Sequence, residues 1–391
     1  MECRERVLAA LNLEVPDRVP CHTILIDANN SDEILGKPEI DDFDTLEQVK
    51  KNNPEGWIEE ISGLIEGIET SVFSRCVEAA AAIGLDVMQV GIIPFYALED
   101  QKDENLLLGD IYGRVWTVLN NAGNFNPYYI YGTTTSKEKW KEVKENLEGP
   151  ALVKYKKIVK KFFRRINKKH KDKIFVAVTN DYLGTFEAAS QGLGWPFYAR
   201  MVRKDPRFIK EVHSTIAQFT AGLYESYIDA GAEMFVESGD LAYKTGPMMS
   251  PKKFYDLVLP GYKIITETVH NRGAKIVLHS DGQITPLLDF IIDCGFDGLQ
   301  SLEPTAGVDL ALIKKKVGDK LCLMGNIDIA HVLTYGTKEE VFNAVKFAIK
   351  TGGPGGGFMV SAANMHPAVK VQNLRWMTEA TRRFGQYPLK L

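Results

Sequence analysis

Cysteine is scarce in this chain of 391 residues. There are five (Cys3, Cys21, Cys76, Cys294, Cys322), an odd number with no CxxC pair, which argues against a disulfide framework and suits reduced thiols in a cytoplasmic protein. No apolar run reaches the ~18 residues that span a bilayer. There is no excess of positive charge either: the formal net charge is −4, which leaves no general basic surface for nucleic acid. The opening "MECRERVLAALNLEVPDRVP" is charged and broken by two prolines, unlike a secretory leader. Low-complexity segments are missing, and no glycine-rich phosphate loop follows the first apolar run, as a doubly wound dinucleotide fold would require. What is present, 45 % hydrophobic and 25 % charged residues, is ordinary for a soluble globular protein able to bury a large core.

Eight short apolar, β-branched-rich runs recur along the chain. They are "VPCHTILI" (19–26), "DVMQVGI" (86–92), "IFVAVTND" (174–181), "MFVESGD" (234–240), "KIVLHSDG" (275–282), "DGLQSLEP" (297–304), "KLCLMGNID" (320–328) and "GFMVSAAN" (357–364). Helical patterns separate most of them. In 205–229, Phe208, Val212, Ile216, Phe219 and Leu223 recur at spacings of three and four and so share one face. Asp205 and Ser250, each followed by proline, read as helix N-caps. Eight strand–helix units predict an α/β fold, a closed (β/α)8 barrel. We expect one domain over 1–391, with long excursions at 27–84 and 93–172. The lysine-rich end of the second, "KYKKIVKKFFRRINKKHKDK", reads as a solvated helix face, with Ile158, Val159, Phe162 and Phe163 turned to the core and His170 turned to solvent.

In such barrels the chemistry sits at the C-terminal strand ends. Those ends supply Asp27, Asn180, Asp181, Glu237, Asp240, His279, Asp281, Glu303, Asn326, Asp328, Ser361 and Asn364. Carboxylates converging on one mouth repel unless a cation sits among them. His279 and Asp281 are two residues apart on a strand, so they share a face and can point into one cavity. A histidine with carboxylates is one donor set for catalytic zinc, although a lone strand-end histidine is more often a hydrogen-bonded or acid–base residue. Aromatics gather after the second and third runs (Phe95, Tyr96, Trp116, Tyr182, Phe186, Trp195, Phe197, Tyr198) and could be core or could line a pocket for a small flat substrate.

With these motifs assembled, the chain resembles the uroporphyrinogen decarboxylase superfamily. The match is carried by "DRVP" (17–20), "TNDYLGTFEAASQGLGWPFYARMVRKDP" (179–206), "ESGDLAYKTGPMMSPKKFYDLVLPGYKII" (237–265), "IVLHSDGQITPLLDFIIDCGFDGLQSLEP" (276–304) and "LMGNIDIAHVLTYGT" (323–337). Members that decarboxylate a tetrapyrrole carry an arginine-bearing RQAGR segment after the first strand. Here that region reads "LIDANNSDE", without arginine, so the resemblance points to the other branch, zinc-dependent methyltransferases that work with a corrinoid protein. Thiol methylators of that branch look like His-x-Cys after the fifth strand, with a second Cys after the eighth. This chain has His279-Ser280-Asp281 and, in "SAANMHP", Ala363.

Oxygen and nitrogen donors leave zinc a harder Lewis acid, matched to an oxygen rather than a thiol. A phenolate, whose acid has a pKa of ~10, is a poor leaving group without such help. The resemblance therefore implies a methyltransferase moving a methyl group from a small donor, a methoxylated aromatic compound, to the Co(I) corrinoid of a partner protein. It implies zinc on Glu237 and His279 together with Asp281 or, as the alternative, Asp240. Asp181, Asp240 and Asn364 would be catalytic, and Tyr96, Tyr182, Trp195 and Asp328 would contact substrate. Transfer from a methyl-corrinoid to tetrahydrofolate or a thiol, decarboxylation of a small carboxylate, and a non-catalytic barrel serving a corrinoid protein remain open, as does a homodimer.

Overall fold

Each of the eight apolar runs forms a strand in the computed structural model, which describes residues 1–37, 52, 57–92, 95–98, 106–121, 124–180 and 184–390. In chain order they are β1 (Cys21–Thr23), β2 (Val87–Val90), β3 (Phe175–Thr179), β4 (Met234–Ser238), β5 (Lys275–Ser280), β6 (Gly298–Ser301), β7 (Cys322–Ile327) and β8 (Phe358–Ala362). All pair in parallel with their sequence neighbours, and β1 returns to β8 to close a barrel.

Side-chain alternation fills the inside in layers. The N-terminal helix Cys3–Leu11 plugs one end, its Val7, Ala10 and Leu11 packing against Val87, Ala177, Val236, Val277, Met324 and Met359 from the strands. One step further along, the inward positions turn polar: His22, Gln89, His279, Gln300 and Ser361 are all buried. The intervening residues, such as Phe235, Ile276, Leu278 and Leu299, point outward into the helical shell. Fully burying each is worth roughly 1.5–3 kcal/mol.

The excursion 27–84 holds helices Ala28–Leu35 and Trp57–Ile83, the first capped by Asp27, which accepts a hydrogen bond from Asn30 N at 3.0 Å. The excursion 93–172 holds a four-stranded antiparallel sheet (Phe95–Ala97, Leu106–Asp110, Arg114–Asn121, Asn124–Gly132) and helices Lys137–Glu148 and Pro150–His170. In the last helix Val159, Phe162 and Phe163 are buried and Ile158 is partly so, as the pattern requires. His170 differs from expectation. It is 1 % exposed, with Nε2 3.1 Å from Ser74 Oγ, because it continues the face of Phe162 and Ile166, and Phe162 packs edge-on against Phe73 of helix Trp57–Ile83. No helix among the described residues is long and apolar enough to cross a membrane.

His213, on helix Pro206–Ile228, is wholly buried beside the Tyr198 hydroxyl at 2.9 Å, and burial pushes its pKa down to about 3. The unfolded chain binds a proton at this residue below pH ~6.5, whereas the folded chain resists until about pH 3. Its contribution to stability is therefore complete above pH ~6.5 and declines as pH falls towards 3. Replacing it (His213→Phe) is expected to shrink the stability difference between pH 7 and pH 5 by about 2 kcal/mol, measured by urea unfolding at both values.

Candidate active site

The ends of β4 and β5 are stitched together. Leu241 N donates to Ser280 Oγ at 3.0 Å, and Asp281 N donates to Asp240 Oδ1 at 2.8 Å. The chain between His279 and Gln283 must turn sharply beneath the β4 loop, and Gly282 makes that possible. It has φ +85°, and a Cβ there would stand 2.5 Å from Ala242 O. Its N–H donates to Glu303 Oε2 at 3.0 Å, which ties the β5 end to the β6 end.

These tethers bring Asp240, His279 and Asp281 together, one donor atom from each lying within 4.8 Å of the others. His279 Nε2 is 3.9 Å from Asp240 Oδ1. Asp281 is held on both oxygens, accepting from Ser301 Oγ at Oδ1 and from Asn364 Nδ2 at Oδ2. Ser301 itself has φ +93°, a left-handed conformation that costs a non-glycine residue about 1–3 kcal/mol and that here accompanies its hydroxyl's contact with the Asp281 carboxylate. The trio suits a divalent cation: one imidazole and two carboxylates that would otherwise repel, one of them fixed by two donors.

A cavity of about 170 Å³ opens beside the trio. Asp281, Glu303, Asp328, Asn364, His366 and Lys244 line it, with Ile329, Ala330 and Ala363 as apolar contacts. Asp328 also caps the segment that follows it, accepting from His331 N at 3.1 Å.

Other expected site residues lie elsewhere. Glu237 was placed by sequence among the metal donors but points away from them. Val236 faces the barrel interior, so its neighbour Glu237 faces the helical shell. There it is 0 % exposed and accepts from Asn180 Nδ2 (2.7 Å), Thr185 N (2.9 Å), Thr185 Oγ1 (2.7 Å) and Tyr224 Oη (3.0 Å). Burial raises its pKa despite those donors. Tyr96 sits on the antiparallel sheet, 42 % exposed, and Trp195 packs edge-on against Phe186 and Tyr198; neither lines the cavity beside the trio. Phe95, Trp116, Phe186, Phe197 and Tyr198 are buried core. Asp181 and Tyr182 lie outside the described residues. Sequence reading passed over Gln300 and Ser301, which contact His279 and Asp281 directly.

The uroporphyrinogen decarboxylase (URO-D) family profile matches residues 142–384, more than half of the chain. The chain belongs to this family. Within it, 155 residues are 28 % identical to the methylcobamide:CoM methyltransferase MtaA of Methanosarcina barkeri, covering 39 % of this chain and 42 % of that protein. MtaA of M. barkeri strain Fusaro is 30 % identical over 125 residues, covering 32 % of this chain and 35 % of its own length. The chain thus spans less than half of the curated relatives it matches. A solved methyltransferase from Methanosarcina mazei has the same fold, with a TM-score of 0.67 at 17 % identity over 98 % of this chain and 99 % of that one.

Proposed function

We propose that this family member is a corrinoid-dependent methyltransferase that takes a methyl group from the oxygen of a small donor, a methoxylated aromatic compound, and passes it to the corrinoid of a partner protein. The observation that carries the reading is the Asp240–His279–Asp281 trio at the barrel mouth, made of nitrogen and oxygen donors without sulfur. Similarity to the MtaA proteins supports methyl transfer with a corrinoid. The oxygen-rich donor set supports an oxygen, rather than a thiol, as the group acted on.

Asp240, His279 and Asp281 would hold zinc, which when bound supplies a Lewis acid for the leaving oxygen. The rest is the work of this chain's own residues. Ser301 and Asn364 keep the Asp281 carboxylate oriented. Lys244, on the cavity wall, would meet an anionic group of the donor, and Ile329, Ala330 and Ala363 would meet its apolar body. The Asp328 carboxylate, on the same wall, can accept from a donor hydroxyl.

A screen tests this reading. Reduced corrinoid protein would be supplied with methoxybenzoates, methylamines or glycine betaine, and methylated corrinoid with coenzyme M or tetrahydrofolate, with zinc measured on the same preparation. Methylation of the corrinoid from methoxybenzoates by zinc-loaded enzyme is expected. Turnover only with amines or betaine removes the ether assignment, turnover only with coenzyme M makes the chain a thiol methylator, and full activity after metal stripping removes the zinc.

A further inference from the structure

Gln300 is an uncharged residue inside the barrel, 0 % exposed, one strand over from His279 and in register with it. Its amide nitrogen faces Ala362 O at 3.0 Å and Ala363 O at 3.3 Å, two carbonyls that can only accept. The same nitrogen lies 3.1 Å from Ser361 Oγ. Turning the amide over would set its oxygen against both carbonyls, so the nitrogen must lie on this side and Oε1 on the other. Oε1 meets His279 Nδ1. An amide oxygen has no proton to give, so Nδ1 carries a proton, and in the neutral ring the lone pair then falls to Nε2, the nitrogen nearest Asp240.

The orientation is reinforced behind Gln300. Ser361 Oγ donates to Ala362 O at 2.8 Å, which leaves it an acceptor for Gln300 and for His22 Nδ1 at 3.0 Å. A polar chain thus crosses the barrel from β1 through β8 and β6 to β5, and its direction is set by the backbone carbonyls of β8 and the residue after it.

We propose that Gln300 is a positioning residue that locks His279 in its Nδ1–H tautomer and so presents Nε2 as a ready metal donor, a reading that rests on the metal site proposed above. Zinc would then bind without a prior tautomer shift and without losing the hydrogen bond behind the ring, an arrangement that raises ligand basicity.

Two measurements on the metal-free full-length protein test this. The first is a long-range ¹H–¹⁵N correlation spectrum of ¹⁵N-histidine-labelled protein, with His279 assigned through its loss in His279→Gln. Nδ1 is expected to be pyrrole-like and Nε2 pyridine-like. A wild-type ring protonated on Nε2 overturns the proposal and needs no variant to show it. The second is zinc affinity by competition with a chromophoric chelator. Gln300→Met, matched in length but unable to accept, is expected to mix the tautomers and weaken binding about 10- to 100-fold. An unchanged tautomer with affinity within about twofold of wild type also overturns it. His279→Gln separates the two readings. If that variant keeps wild-type affinity the metal site is wrong, while the wild-type tautomer still decides the part assigned to Gln300.

Discussion

Asp281→Asn is expected to lower zinc affinity by more than about 100-fold and to take methyl transfer down with it. Hydrogen-bond partners behind a ligand are typically worth about 10- to 100-fold, so removing the charge of a ligand itself should exceed that range. Asparagine keeps the volume and keeps one oxygen for Ser301 or Asn364, so the fold has little reason to change. One fewer carboxylate beside Asp240 also relieves repulsion in the metal-free protein, so its unfolding midpoint should not fall. Chelator competition, a methyl-transfer assay and thermal unfolding on one preparation read all three. Wild-type zinc affinity in this variant would dismiss Asp281 as a ligand. A large drop in midpoint would assign it to the fold instead.

The contrast with Glu237 explains what the sequence could and could not reveal. His279 and Asp281 were legible as a pair because strand alternation is a local rule, and Asp281 continues the inward parity of Val277 and His279. The same rule, applied to β4, sends Glu237 outward. Its weight as a candidate came from being a carboxylate at a strand end, and the four donors that enclose it come from 180, 185 and 224, distant segments that no local pattern links. Asp240 joins the trio through a loop tether rather than a strand position, which spacing does not encode.

Gln300 was illegible for the opposite reason. Nothing marks an amide in "DGLQSLEP" until β5 and β6 are in register and β8 brings its carbonyls alongside. The eight strands themselves were plain, because β-branched runs bounded by turns and helices need only local composition to be seen. The aromatic clusters after the second and third runs misled in part, since a ring that packs a core and a ring that lines a pocket look alike in sequence; Phe186 and Tyr198 proved to be the former.

The largest loss of stability is expected at the other end of the barrel, from Asp86→Ala. Asp86 precedes β2, is 0 % exposed, and joins three elements. It accepts from Arg6 Nη1 at 2.7 Å, from Arg18 at 2.7 and 2.8 Å, and from Cys21 N at 2.8 Å. Arg6 belongs to the helix that plugs the barrel, and Arg18 to the "DRVP" segment entering β1, where Asp17 takes the remaining face of Arg6 at 2.7 and 2.8 Å. That motif, part of the family resemblance, therefore closes the floor and does not touch the site. Alanine at 86 leaves two nearly buried guanidinium groups facing a hole, and breaking a buried pair on one side costs about 3–5 kcal/mol. Urea unfolding should show a loss of that size. Zinc affinity of the folded fraction should stay at the wild-type value, since the trio hangs from the opposite strand ends. Adding Arg18→Met should recover part of the loss by removing one stranded cation. A loss below about 1 kcal/mol, the scale of an exposed pair, would mean that water reaches this network and that the plug helix is held by its apolar contacts alone.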